Sequence, residues 1–198
     1  MIGRRVLEAW RRVARSRALL GSRFEEVYRE NLAEVFQVTN RVLREAGVDY
    51  WLVYGTLLGC YRQADLLPGD DDVDFGAHER EYARVWELRH RLPPGYSMRD
   101  TSYKHNGPKL LVERDGWKAD IYFYREEDGM LRSLERSDHP GDVAPFPADY
   151  VFPTLSAELL GQPTRLPRDA RSYLEHTYGY IGPDAVRDRR TGYWKRRA

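Results

Sequence analysis

Cysteine is nearly absent from this sequence: Cys60 is the single one among 198 residues. An internal disulfide is therefore excluded, and so is any cysteine-rich zinc site. Long hydrophobic runs are missing as well. The longest stretch without a charged residue, Tyr50 to Tyr61, falls short of the ~20 apolar residues a membrane-spanning helix needs. No apolar block opens the chain as a secretory signal would, because its first residues alternate arginine with apolar side chains. A cytoplasmic protein is the expectation. Nor is there a surplus of charge: 32 basic and 31 acidic residues leave a formal net charge of +1. Coating nucleic acid takes a clear cationic excess, so no stable nucleic-acid partner is expected. The Gly-Lys-Ser/Thr string of a P-loop and the G-x-G-x-x-G of a dinucleotide-binding turn are absent too.

What is present describes a soluble globular chain, with 41% apolar and 32% charged residues. Fourteen tyrosines and five tryptophans suit a cleft that stacks on rings or sugars, and suit ordinary packing equally. Val6, Leu7, Trp10, Val13 and Ala14 fall at helical spacing among six arginines, a first helix with a basic face. A second helix runs from Phe24 to Leu43 and ends at Gly47. Tyr50 to Tyr54 reads as a strand that meets Gly55, and a short helix covers Leu57 to Arg62. Further strands are expected over 72–76, 96–99, 110–113 and 118–124, and a helix over 79–92 that Pro93-Pro94 stops. Beyond Asp128 proline and glycine become dense, and only a helix near 169–177 stands out. The order predicts an α/β (or α+β) fold, a mixed β-sheet flanked by helices. Residues 1–46 read as a helical extension, 47–180 as the catalytic domain and 181–198 as a basic tail.

Chemistry concentrates in Gly69-Asp70-Asp71-Asp72-Val73-Asp74. Clustered aspartates repel one another unless cations or donors compensate them. On a strand Asp72 and Asp74 project from one face, an oxygen-rich pair suited to Mg²⁺ or Mn²⁺. Asp120 interrupts an otherwise apolar strand, where an ionised carboxylate needs a partner, and offers a third ligand. Taken singly, the cluster also fits a solvated turn and Asp120 a structural salt bridge. Strand, Gly55-Thr56 and helix together form a corner whose amides and hydroxyl suit a phosphate. The histidines 78, 90, 105, 139 and 176 show no metal-ligand spacing.

The string Tyr54-Gly55-Thr56-Leu57-Leu58-Gly59-Cys60-Tyr61-Arg62, followed by Leu67-Pro68-Gly69-Asp70-Asp71-Asp72-Val73-Asp74, closely resembles the LicD family, which includes bacterial phosphocholine transferases and resembles fukutin-like proteins. The family usually has tryptophan where Gly69 stands. Val151-Phe152-Pro153, Gly161, Pro167, Tyr173-Leu174 and Tyr178-Gly179 resemble its closing region, so the likeness spans about residues 50–180. It implies a nucleotidyltransferase fold similar to the DNA polymerase beta core. It also implies transfer of a phospho-alcohol from a CDP-linked donor to a hydroxyl of a sugar or small molecule. The alternative within that fold attaches a nucleotide to a small-molecule or RNA acceptor and releases pyrophosphate. Carried over by position, Asp72, Asp74 and Asp120 are the metal and catalytic carboxylates, and Asp70 is a further acidic position. Gly55 and Thr56 correspond to the phosphate corner, and Arg62 and Lys109 to cations for the nucleotide phosphates. Asp120 is the expected base for the acceptor hydroxyl. The acceptor and the oligomeric state stay open.

Overall fold

The computed structural model describes residues 22–105, 107–135 and 139–197. The basic helix expected within the first seventeen residues lies outside the described residues. Helix α1 (Ser22–Glu45) keeps the expected three-four rhythm, and Leu32, Val35, Phe36, Val42 and Leu43 on one stripe are buried. It ends where glycine permits, at Gly47 with φ +64°. There the Gly47 N–H donates to Arg44 O (2.9 Å) and the Val48 N–H to Leu43 O (3.0 Å), satisfying two terminal carbonyls.

Strand β1 (Tyr50–Leu52) leads into helix α2 (Tyr54–Gln63), strand β2 (Asp72–His78), helix α3 (Tyr82–Glu87) and strand β3 (Ser97–Asp100). A single turn, α4 (Ser102–His105), precedes the hairpin of β4 (Lys109–Arg114) and β5 (Trp117–Glu127). Next come β6 (Met130–Ser133), the one-turn α5 (Pro140–Val143) and β7 (Phe146–Pro147). The described chain closes with the β8 (Leu155–Leu159) and β9 (Gln162–Leu166) hairpin, helix α6 (Ala170–Tyr178), and a ribbon of β10 (Ala185–Arg187) and β11 (Trp194–Arg196). The main sheet has the order β1-β2-β5-β4-β3, with β6 and β7 continuing from β5. Only the β2–β5 pairing within it is parallel. The fold is thus the mixed α/β type that the sequence implies.

Strand alternation sorts the side chains onto two faces. Val73 and Phe75 of β2, with Ala119 and Ile121 of β5, are fully buried toward α1, where Phe36 stacks on Phe75 at 5.6 Å. The opposite face carries Asp72, Asp74, Asp120 and Tyr122. A polar brace fixes α1 to its surroundings: the buried Tyr50 OH donates to Asn40 Oδ1 (2.6 Å), and Asn40 Nδ2 donates to Pro163 O (2.9 Å). No described helix is long and apolar enough to cross a membrane.

Several elements differ from expectation. The segment 1–46 reads as an extension, yet α1 is part of the central core because its apolar stripe has the sheet to cover. Strand β1 stops at Leu52 and α2 begins at Tyr54, earlier than Leu57. Tyr54 turns the chain with φ +47°, and the Leu57 N–H already donates to Val53 O at 3.0 Å. The helix expected over 79–92 is broken into a 3₁₀ turn, α3 and a second 3₁₀ turn. Only Val85 and Leu88 in it are buried, so little packing enforces one regular spiral. The basic tail is the β10–β11 ribbon, ordered by antiparallel pairing.

Phe36→Ala should lower unfolding stability by about 3–5 kcal/mol, since it empties a fully buried ring site between α1 and β2. Urea unfolding followed by tryptophan fluorescence measures the loss.

Candidate active site

The parallel ladder of β2 and β5 sets Asp74 directly against Asp120 and Asp72 against Lys118. In-register parallel residues share a face, so Asp72, Asp74 and Asp120 emerge side by side. One oxygen from each lies within 4.8 Å of the others. Asp74 and Asp120 are 5% and 8% exposed, so water does little to screen their repulsion. Burial, then the charges of Asp120, Asp70 and Asp71, push Asp72 up to about 7, with Lys109 opposing. Burial, then the charges of Asp72, Asp70 and Asp120, raise Asp74 well above the usual carboxylate range. Asp70 is pushed up to about 6 by burial and by Asp71. Hard oxygen donors this close, and this costly to ionise together, fit a divalent cation such as Mg²⁺ or Mn²⁺.

Gly55 and Thr56 stand in the first turn of α2 rather than in a loop before it. A Cβ on Gly55 would come 2.3 Å from Asp70 Oδ2, so only glycine lets the Asp70 carboxylate settle against the helix start. Thr56 is buried, and its Oγ1 accepts the Asp74 backbone N–H at 2.8 Å. That hydroxyl, expected at a phosphate corner, ties α2 to the strand that carries Asp72 and Asp74.

The two expected phosphate cations are both engaged. Lys109 Nζ lies 2.8 Å from Asp120 Oδ2 and 3.2 Å from Glu135 Oε1, with only 7% of its side chain exposed. It also donates to Tyr122 OH (3.2 Å). Burial works against its charge, yet Asp120 and Glu135 outweigh burial and raise its pKa. The antiparallel register of β4 on β5, with Lys109 opposite Tyr122, explains the contact. Lys109 therefore holds Asp120. Arg62 lines the cleft, but its Nε and Nη2 donate to Ile181 O (3.0 and 2.8 Å) and Nη2 also to Gly182 O (2.9 Å). It anchors the segment leading to β10.

The cleft encloses about 740 Å³ and is lined by Asp70, Asp72, Asp74 and Gly55 among others, a volume in the range of small-ligand sites. Tyr178, noted in the sequence only for its family resemblance, also lines it, as do Glu135, Asp142, Arg187 and Trp194, which the sequence did not single out. They come from the stretch beyond Asp128, where no hydrophobic period marks a face. Tyr122 lines the cleft, whereas Trp117 packs edge-on against Tyr28 and Tyr124 bonds to Tyr54 and Tyr173 in the core. Of the histidines, His139 reaches the cleft; the side chain of His105 lies outside the described residues.

Two outcomes follow from these charges. Folded-state pKa values of about 6 and 7 for Asp70 and Asp72 stand above the ordinary 3.8, so the folded protein keeps protons that the unfolded chain has released. The stability tied to those protons falls as pH rises from about 4 and is lost above the folded values. In EDTA the Tm should fall between about pH 4 and 7, and Asp72→Asn should flatten that fall; scanning calorimetry reads both. Lys109→Met strands the buried Asp120 and Glu135 carboxylates and should cost about 3–5 kcal/mol by urea unfolding.

A family model described as LicD/FKTN/FKRP, nucleotidyltransferase domain, matches residues 47–169. Ribitol-5-phosphate transferase FKTN of Homo sapiens is 26% identical over 179 residues, covering 85% of this chain and 36% of that protein. Ribitol 5-phosphate transferase FKRP of Homo sapiens is 27% identical over 158 residues, covering 75% of this chain and 31% of that protein. The chain thus spans about a third of the length of these curated relatives. Among solved structures, ANT(2″)-Ia in complex with adenylyl-2″-tobramycin aligns with a TM-score of 0.47 at 12% identity, over 68% of each chain. With a match across residues 47–169, within which Asp72, Asp74 and Asp120 share one face of the sheet, the chain belongs to the LicD/FKTN/FKRP family through its nucleotidyltransferase domain.

Proposed function

We propose that the protein is a metal-dependent transferase of phosphorus-containing groups. It moves a phospho-alcohol, phosphocholine-like or polyol-phosphate-like, from a CDP-linked donor to a hydroxyl of a sugar or small molecule. The observation that carries this reading is the set of three carboxylates, two of them buried, with oxygens within 4.8 Å of one another beside a cleft of ligand size. The names of the relatives, ribitol-5-phosphate transferases, support the phospho-alcohol. On its single cysteine we assign the activity to the cytoplasm.

Phosphoryl transfer asks the protein for position and charge more than for covalent chemistry. Asp72, Asp74 and Asp120 would hold Mg²⁺ or Mn²⁺, which when bound supplies positive charge to the phosphate oxygens. Asp72 and Asp74 sit on a strand whose backbone is pinned by Thr56, so their carboxylates are placed before any ligand arrives. Lys109 takes Oδ2 of Asp120, and the second oxygen of that carboxylate is assigned to the acceptor. That second oxygen orients the acceptor hydroxyl and takes up its proton. The rings of Tyr122 and Tyr178 wall the site, and they give an acceptor a face to lie on and exclude water.

A second reading within the same family domain, whose description names nucleotidyl transfer, attaches the nucleotide itself and releases pyrophosphate. Products separate the two: phospho-alcohol transfer from a CDP-linked donor releases CMP. Asp72→Asn and Asp74→Asn should abolish turnover, and EDTA should do the same to the wild type. Asp120→Asn should lower kcat by about 10²–10⁴-fold while donor affinity stays within a few-fold. Steady-state kinetics with CDP-choline or CDP-ribitol and a panel of sugar acceptors, paired with calorimetric titration of the donor, checks this contrast. Full activity in EDTA would remove the metal from the reading. Nucleotide binding lost as severely in Asp120→Asn as in Asp72→Asn would make Asp120 a ligand alone.

A further inference from the structure

A phosphorylated donor entering this cleft meets carboxylates on several sides, since Asp70, Asp72, Asp74, Glu135 and Asp142 all line it. Even with cations bound at the Asp72–Asp74–Asp120 set, the diphosphate needs a positive side chain of the protein to hold it in a fixed orientation. Two arginines line the cleft, Arg62 and Arg187. The guanidinium of Arg62 is turned to the chain: its Nε and Nη2 serve the Ile181 and Gly182 carbonyls, and its plane lies 5.7 Å from the Trp194 ring centre. Lys109 is buried between Asp120 and Glu135. Arg187 differs from both. It is exposed on β10, and among the described residues no carboxylate or carbonyl holds its guanidinium.

The ribbon that carries Arg187 is a fixed wall. Tyr178 stacks on Trp194 with ring centres 4.5 Å apart, and the Tyr180 N–H donates to Trp194 O at 3.0 Å. Gly179, at φ +83°, lets this approach happen, because a Cβ there would meet Trp194 O at 2.8 Å. His139 Nε2 pairs with Gly192 O at 3.0 Å. The strand bearing Arg187 is thus placed before a ligand arrives, which lowers the entropic cost of using its side chain. A guanidinium is also the group whose planar fork matches phosphate oxygens in pairs.

We propose that Arg187 is the side chain that receives the diphosphate of the nucleotide-linked donor, with the β10–β11 ribbon acting as the donor-binding wall of the cleft. The proposal rests on the donor reading above and assigns that role to a residue outside the family-matched span of 47–169. Isothermal titration of CDP and of inorganic pyrophosphate, each with Mg²⁺, tests it on the full chain. Wild type, Arg187→Gln, Arg187→Lys and Arg165→Gln are compared; Arg165 is an exposed arginine on β9 that does not line the cleft. Arg187→Gln should weaken both ligands roughly 10- to 100-fold. Arg187→Lys, which keeps the charge but not the fork, should fall between. Arg165→Gln should bind as wild type does. If wild type binds and both Arg187 variants bind equally well, the proposal falls and the donor reading stands. If Arg165→Gln weakens binding as much as Arg187→Gln, the effect is one of general charge, and the contact is refuted. Wild type that binds neither ligand overturns the donor reading and this proposal with it.

Discussion

Three carboxylates brought onto one sheet face by the parallel pairing of β2 with β5 are the constraint to which the rest of the structure answers. Asp74 and Asp120 face each other across the ladder, and little water reaches either. Their mutual repulsion works against folding, as the upward pressure on Asp72 and Asp74 records. Such a site persists only if the scaffold beneath it is stable enough to carry the cost. The scaffold is the reverse face of the same two strands. Val73, Phe75, Ala119 and Ile121 are fully buried there, and each buried side chain of the larger kind contributes about 1.5–3 kcal/mol. One alternation along two strands therefore generates the unfavourable site and the core that offsets it.

Positioning of the carboxylates is shared among neighbours that do not touch ligands. Thr56 accepts from the Asp74 backbone, which locks α2 to β2 at the level of the site. Lys109 pairs with Asp120 and Glu135 at once. Its stem and ammonium sit against the Tyr122 ring, 4.3 Å from the centre. The buried tyrosines Tyr124 and Tyr173 and the half-buried Tyr54 bond through their hydroxyls beside this layer. The Tyr54 backbone at φ +47° is where the chain turns from strand to helix. A non-glycine residue there is strained, and it lies at the edge of the cleft, where strain is commonly stored.

The cleft itself is a composite. Its floor comes from residues inside the family-matched span, and part of its wall from residues beyond it. Arg62, within the motif helix, reaches across to Ile181 and Gly182 and joins the two. A guanidinium that satisfies these backbone carbonyls is a structural clamp, whatever else it does at the cleft it lines. The ribbon so held brings Trp194 and Arg187 to the cleft that Asp72 and Asp74 line, more than a hundred residues earlier in the chain.

Much of this was legible in the residues alone. Helix α1 announced itself by its apolar rhythm and Gly47, and strands β2 and β5 by their β-formers. Asp72 and Asp74 could be placed on one face because a strand alternates with period two. Asp120 was conspicuous because a charge in an apolar strand needs a reason. Local rules of that kind depend on spacing along the chain, and the sequence contains all of it. Which side chains meet across the chain is another matter. Register on β4 decided that Lys109 would face Asp120, and packing of α2 decided that Thr56 would be buried. Glu135, Arg187 and Trp194 entered the site from segments with no hydrophobic period and no recognisable spacing. Their roles are set by pairings between distant residues, whose energies depend on distance and burial in three dimensions, and only the tertiary structure supplies those.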